Sequence, residues 1–126
     1  MENPPEDKRL SPRVPLDVDL YMKVNKPPEV RIKVHDAVKV GHSVDISDNG
    51  ISFLLDTEIP KLTEVEIHFH MFSESGEQRR IEILGEVRYC FPRRPITSYR
   101  IGVVFIKIDP DDKVAIIEYV KTSHQK

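Results

Sequence analysis

The chain is predicted to fold as an all-β antiparallel barrel or sandwich with one helix at its C-terminal end, and three observations predict it. Apolar residues alternate with polar ones in run after run, which is the period of a half-buried strand. The gaps between runs are hairpin-sized and hold glycine, proline, serine, asparagine and aspartate. Only the last stretch, beyond Asp109, changes to helical spacing. With 126 residues, 39% apolar and 32% charged, the chain is long enough for one domain around a single core.

Taken in order, residues 1–8 are charged, carry Pro4 and Pro5 and lack any apolar period, so a flexible tail is expected before a domain spanning 9–126. Lys8, Arg9 and Arg13 follow, with Pro12 and Pro15 forbidding a helix, so the arginines project from an extended loop. Leu16, Val18, Leu20, Met22 and Val24 alternate as a first strand. After a break at Lys26-Pro27-Pro28, Val30, Ile32 and Val34 read as a second alternating run, interrupted near His35-Asp36. Val38, Val40, Val44 and Ile46 carry it on, as one bent strand or two. Ile51, Phe53 and Leu55 mark the next strand, then a turn over 58–61, then Val65, Ile67, Phe69 and Met71. A hairpin loop over 73–77 leads to Ile81, Ile83, Val87 and Tyr89, with Gly85 at a bulge or close backbone approach. Phe91 to Pro95 break that strand, and 100–106 form the last one. Asp109 as a capping carboxylate, Pro110 at the first helical position and Asp111 and Asp112 in the first turn start a helix over about 110–123. Val114, Ile117 and Val120 or Lys121 give it its period.

Composition narrows function. A net charge of −2 gives no general reason to bind duplex nucleic acid, so any anion site must be a local cluster. No apolar run reaches the length of a membrane span, and the charged, proline-bearing start does not read as a signal peptide. Cys90, the only cysteine, cannot form an internal disulfide, which suits a reducing cytoplasm. A glycine-rich phosphate loop, a nucleophile elbow and a metal-spaced cysteine or histidine cluster are all missing, so no enzyme is expected. His68 and His70 share the face opposite Val65 and Ile67 and read as a solvent-facing pair; Arg79-Arg80 and Arg93-Arg94 read as surface charge, the latter able to extend a site.

The most informative stretch is Val44-Asp45-Ile46-Ser47-Asp48-Asn49-Gly50-Ile51. It reads as a strand, a polar turn with residues that tolerate positive φ, and a returning strand. Asp45 and Ser47, two apart, share a strand face, so a carboxylate, a hydroxyl and the bare backbone of Gly50 are presented together. A hairpin-stabilising Asx or Ser turn uses the same residues.

Arg9-x-x-x-Arg13 followed by Asp45-x-Ser47-x-x-Gly50 resembles the two-part signature of PilZ domains. Arg100-Ile101-Gly102-Val103-Val104-Phe105 is similar to that family's glycine-valine-x-phenylalanine strand, and the acidic, proline-opened final helix agrees. The resemblance implies a six-stranded antiparallel split β-barrel and a stand-alone cytoplasmic bacterial receptor for cyclic di-GMP, with Arg9, Arg13, Asp45, Ser47 and Gly50 as ligand-binding residues. It also implies lesser roles for Lys8, in setting how many ligand molecules bind, and for Tyr89, against a guanine; alternation instead places Tyr89 on the Val87 face, in the core. The signal would pass to an unidentified effector protein by a rearranged surface, in motility or biofilm control.

The chemistry suits the ligand. A guanidinium forks onto phosphate oxygens or guanine O6 and N7 and stacks on a base. Asp45 matches the guanine N1–H and N2–H donors, Ser47 can bridge to a phosphate or to the Asp45 carboxylate, and Gly50 admits close backbone approach. A nucleotide-independent PilZ-like scaffold, acting by protein contact in pilus or flagellar machinery, is the alternative. An oligonucleotide-binding barrel is disfavoured by the net charge and by the lack of an aromatic platform.

Overall fold

The computed structural model describes residues 12–73, 75–94 and 97–124. Seven strands and two helices run in the order β1 (Val14–Pro15), β2 (Asp19–Lys26), α1 (Pro28–Lys33), β3 (Lys39–Ile46), β4 (Gly50–Leu55), β5 (Glu64–Phe72), β6 (Gln78–Pro92), β7 (Tyr99–Ile108) and α2 (Pro110–His124). Every pairing is antiparallel, and the order β2-β5-β6-β7-β4-β3 closes on itself through β3 and β2. The result is a closed six-stranded barrel, with β1 added along the far half of the β3 edge that β2 occupies at its near half. Closure leaves few strand edges exposed.

The core is filled by the alternating positions. Leu20 and Met22 of β2, Ile51 and Phe53 of β4, Ile67 and Phe69 of β5 and Ile101 of β7 are all essentially inaccessible. Truncating such a phenylalanine costs about 3–5 kcal/mol, so the barrel is a stiff support for what its outer face carries.

In three places the phase differs from simple alternation. The run Val30, Ile32, Val34 is not a strand but part of α1 and its exit. Pro28 occupies the first turn with Glu29, Arg31 and Lys33 lie near the end, and only Val30 and Val34, four apart, are buried; Ile32 is 72% exposed. Apolar residues at i, i+2 and i+4 fit either period, and here the i, i+4 pair packs. His35 and Asp36 then take positive φ, as a left-handed helix exit does.

The second difference is in β3. Val38 and Val40 point outward, whereas Gly41 and Ser43 are buried. Space decides this, because a Cβ on Gly41 would lie 2.7 Å from the Leu54 carbonyl oxygen. The Ser43 hydroxyl is satisfied by donating to the Leu16 carbonyl (2.6 Å) and accepting from the Val18 N–H (2.9 Å). A register shift between Ser43 and Asp45 then returns Ile46 to the interior.

The third is in β6, where shifts occur at Leu84/Gly85 and at Val87/Tyr89. Gly85 faces a bulge in β7, where Ile106 is the extra residue, and is also at a close approach, with Val103 Cγ1 2.3 Å from where its Cβ would be. The second shift turns Tyr89 to the outer face, correcting its placement in the core. Tyr89 pairs with Gly102, which lies between the inward Ile101 and Val103, and its ring covers Gly102.

α2 opens with the Asp109 carboxylate accepting from the Asp111 N–H (2.8 Å). Its inward residues are Asp112, Ile116 and Val120, while Val114 and Ile117 are exposed. The Asp112 carboxylate takes Arg79 Nε (3.0 Å) and the Glu82 N–H (3.2 Å), which explains why an acid is buried there.

A Cβ on Gly102 would fall 2.1 Å from the Tyr89 ring, so Gly102→Ala destabilises by about 1–3 kcal/mol through overpacking. Adding Tyr89→Ala relieves the clash, so in urea denaturation the double variant loses less than the sum of the single ones. Hydrogen bonds to Asp19 (3.0 Å) and Asp17 raise the His42 imidazole above its ordinary value of about 6.5 and staple the 16–18 segment to β3. The staple contributes fully below that ordinary value and is lost as pH rises through the raised folded value. An NMR titration of the His42 ring therefore gives a pKa that falls in Asp17→Asn with Asp19→Asn.

Candidate functional site

The β3–β4 turn is built by its own polar groups. The Ser47 N–H donates to the Gly50 carbonyl (2.9 Å), and the Asn49 N–H donates to Ser47 Oγ (3.2 Å). No residue from Ser47 to Gly50 needs positive φ. Gly50 is required for a different reason: a Cβ there would lie 2.8 Å from the Val103 carbonyl oxygen of β7. The turn sets Ile46 opposite Ile51 and therefore Asp45 opposite Ser52.

That register assembles a polar cluster on the outer face. Asp45 Oδ1 accepts from Arg13 Nη1 (3.0 Å) and Ser52 Oγ (2.7 Å), and Oδ2 accepts from Arg100 Nη2 (3.1 Å). Arg100 Nη2 also reaches Ser52 Oγ at 3.3 Å. Two guanidiniums face one carboxylate, so the patch is locally positive although the chain is not. The Arg13 guanidinium lies over the bare backbone of Gly50, with Nη2 3.6 Å from the position a Cβ would take.

Of the residues singled out from sequence, Arg13, Asp45 and Gly50 come together directly. Ser47 is buried beside them and serves the turn; the hydroxyl on the Asp45 carboxylate is that of Ser52, correcting the expectation that Ser47 would bridge to it. Lys8 and Arg9 lie outside the described residues. Tyr89 belongs to the same surface, because Asp45, Ser52, Gly102 and Tyr89 form one cross-strand row. Its ring stacks on Phe91, with centroids 5.1 Å apart and planes at 16°. Phe91 is 60% exposed, so the row ends in an aromatic ledge.

Three members were not found from sequence: Ser52, Arg100 and Phe91. Counting outward from a two-residue turn places Ser52 opposite Asp45. Arg100, two before Gly102 on an outward position, carried a comparable signal.

α2 touches the site from behind at two points. Lys113 Nζ donates to the Asp48 carbonyl and to Asn49 Oδ1 (3.2 Å) in the turn, and lies 5.9 Å from the Phe105 ring centroid. Tyr119 Oη donates to the Pro15 carbonyl (2.7 Å), two residues after Arg13. A separate cleft of about 660 Å³ between β5, β6, β7 and the start of α2 shares none of these residues, and its arginines are paired with acids, Arg79 with Asp112 and Arg80 with Glu82.

Comparison with known proteins agrees with the architecture. The structure is similar to the Bacillus subtilis inhibitor of motility MotI/DgrA, with a TM-score of 0.75 and 17% identity over 93% of this chain and 51% of that one. It is similar to the PilZ domain of Escherichia coli YcgR with c-di-GMP, with a TM-score of 0.65 and 13% identity over 94% of this chain and 92% of that one. It also resembles the K. pneumonia MrkH–c-di-GMP complex, with a TM-score of 0.51 and 20% identity over 94% and 55%. The chain thus spans about half the length of the MotI and MrkH chains. No curated protein matches it in sequence. No helix among the described residues is long and apolar enough to cross a membrane. The family model described as PilZ domain matches residues 7–122, and the chain belongs to that family.

Proposed function

We propose that this chain is a cytoplasmic receptor for cyclic di-GMP rather than an enzyme, taking the nucleotide at Arg13, Asp45, Gly50 and the turn held by Ser47. Lys8 and Arg9 add cations from the segment before Arg13, and Tyr89 offers a face to a base. The observation that carries the reading is Asp45 held on the outer barrel surface by Arg13 and Arg100, beside bare backbone and an aromatic ledge. A carboxylate offers acceptors to the guanine N1–H and N2–H, guanidiniums meet the two phosphodiester charges, and stacked rings supply a surface for a purine.

Arg13 is the movable partner in this account. Its bond to Asp45 leaves the carboxylate with two further donors, so Arg13 can turn to a phosphate without stranding a buried charge. Because Tyr119 ties α2 to Pro15 and Lys113 ties it to the turn, a shift of either half of the site reaches α2. The exposed Val114 and Ile117 on that helix then present an altered surface to an effector protein, in control of motility or biofilm formation.

One observation favours the second reading, a nucleotide-independent scaffold: Arg13, Ser52 and Arg100 all donate to the Asp45 carboxylate, so the protein itself supplies its partners. Calorimetry with cyclic di-GMP, and GTP as control, separates the two. The receptor reading predicts saturable binding that Arg13→Ala and Asp45→Ala each weaken by roughly tenfold to a hundredfold, the worth of a charge-assisted hydrogen bond. Binding also weakens with added salt, because the contacts are between charges near the surface. Absence of heat at high micromolar ligand supports the scaffold instead.

A further inference from the structure

Resting on the receptor reading, we infer that Arg100 is a positioning residue that sets the Asp45 carboxylate for reading the guanine edge. Each oxygen of Asp45 is held by a donor from the rigid barrel wall. Oδ1 takes the Ser52 hydroxyl of β4, and Oδ2 takes Arg100 Nη2 of β7. Those two strands pair directly, with Ser52 opposite Gly102 and Leu54 opposite Arg100, so the donors are fixed relative to each other. A carboxylate has about four lone-pair sites, two per oxygen. When Arg13 turns to a phosphate, one site on each oxygen remains occupied by Ser52 or Arg100 and one is open.

That arrangement suits guanine. Its N1–H and N2–H donors lie side by side and need both oxygens presented in one plane. Ser52 alone anchors one oxygen and leaves the carboxylate able to turn about its Cβ–Cγ bond; Arg100 fixes the second oxygen and supplies the compensating charge. Arg100 is itself oriented by this task, since its Nε is buried and has no acceptor among the described residues, while Nη2 bonds to both Asp45 and Ser52.

The test is a chemical double-mutant cycle using cyclic di-GMP and cyclic di-IMP, whose hypoxanthine keeps N1–H and lacks the 2-amino group. Calorimetry on the wild-type chain is expected to favour cyclic di-GMP by about tenfold or more, the value of one hydrogen bond to a charged acceptor. In Arg100→Ala that preference collapses toward one, because the second oxygen is no longer held in place. If Arg100→Ala is unfolded by thermal melt or binds neither nucleotide, Arg100→Lys is measured instead. It keeps the charge but not the shared bond to Ser52, and its preference is expected to fall part of the way. An undiminished preference in a folded, binding variant, whatever its overall affinity, overturns the positioning role and leaves the receptor reading intact. A wild-type chain that takes neither nucleotide overturns both.

Discussion

The pairing of β3 with β4 closes the barrel and sets Asp45 opposite Ser52, and the whole outer cluster rests on that register. A one-residue slip would exchange the faces of a strand, sending Asp45 toward the core and Ile46 toward water. Ile46, Ile51 and Phe53, all inaccessible, oppose such a slip from the inside. The glycines oppose it from the backbone side, since Gly41 and Gly50 lie against carbonyl oxygens of β4 and β7. Apolar packing thus holds in place a polar surface to which it contributes no atoms.

Electrostatics on this surface work against the composition of the chain. The net charge is −2, yet two guanidiniums converge on one carboxylate that is itself only partly exposed. The arrangement is stable as it stands and can also exchange partners. Ser52 and Arg100 come from paired strands, whereas Arg13 precedes the two-residue β1, so a competitor for Arg13 need not disturb the barrel. α2 spans the two sides of this division through Lys113 and Tyr119, which places the helix where changes in Arg13's partners are felt.

The barrel was legible in the sequence because most strands bury one face. Val65 to Met71 and Ile81 to Val87 alternate without ambiguity, and the acid-proline start of the final helix is a local signal. α1 was not legible, since Val30, Ile32 and Val34 satisfy both periods and only tertiary packing chooses. Gly85 marked one irregularity in advance, whereas the two bulges that reverse faces were hidden: one makes Val38 and Val40 outward while Ile46 is inward, and the other brings Tyr89 out. Half of the site was legible as a spacing motif. Ser52 and Arg100 escaped notice because they belong to it through cross-strand register, at separations of 7 and 55 residues from Asp45.

The most direct test of a nucleotide site on this face is amide chemical-shift mapping of the ¹⁵N-labelled chain during addition of cyclic di-GMP. The account predicts saturating shifts at Asn49, Gly50, Ser52 and Gly102, with Lys23 and His68 across the barrel unmoved. Shifts confined to the cleft beside Arg79 and Asp111, or none at millimolar ligand, would contradict it.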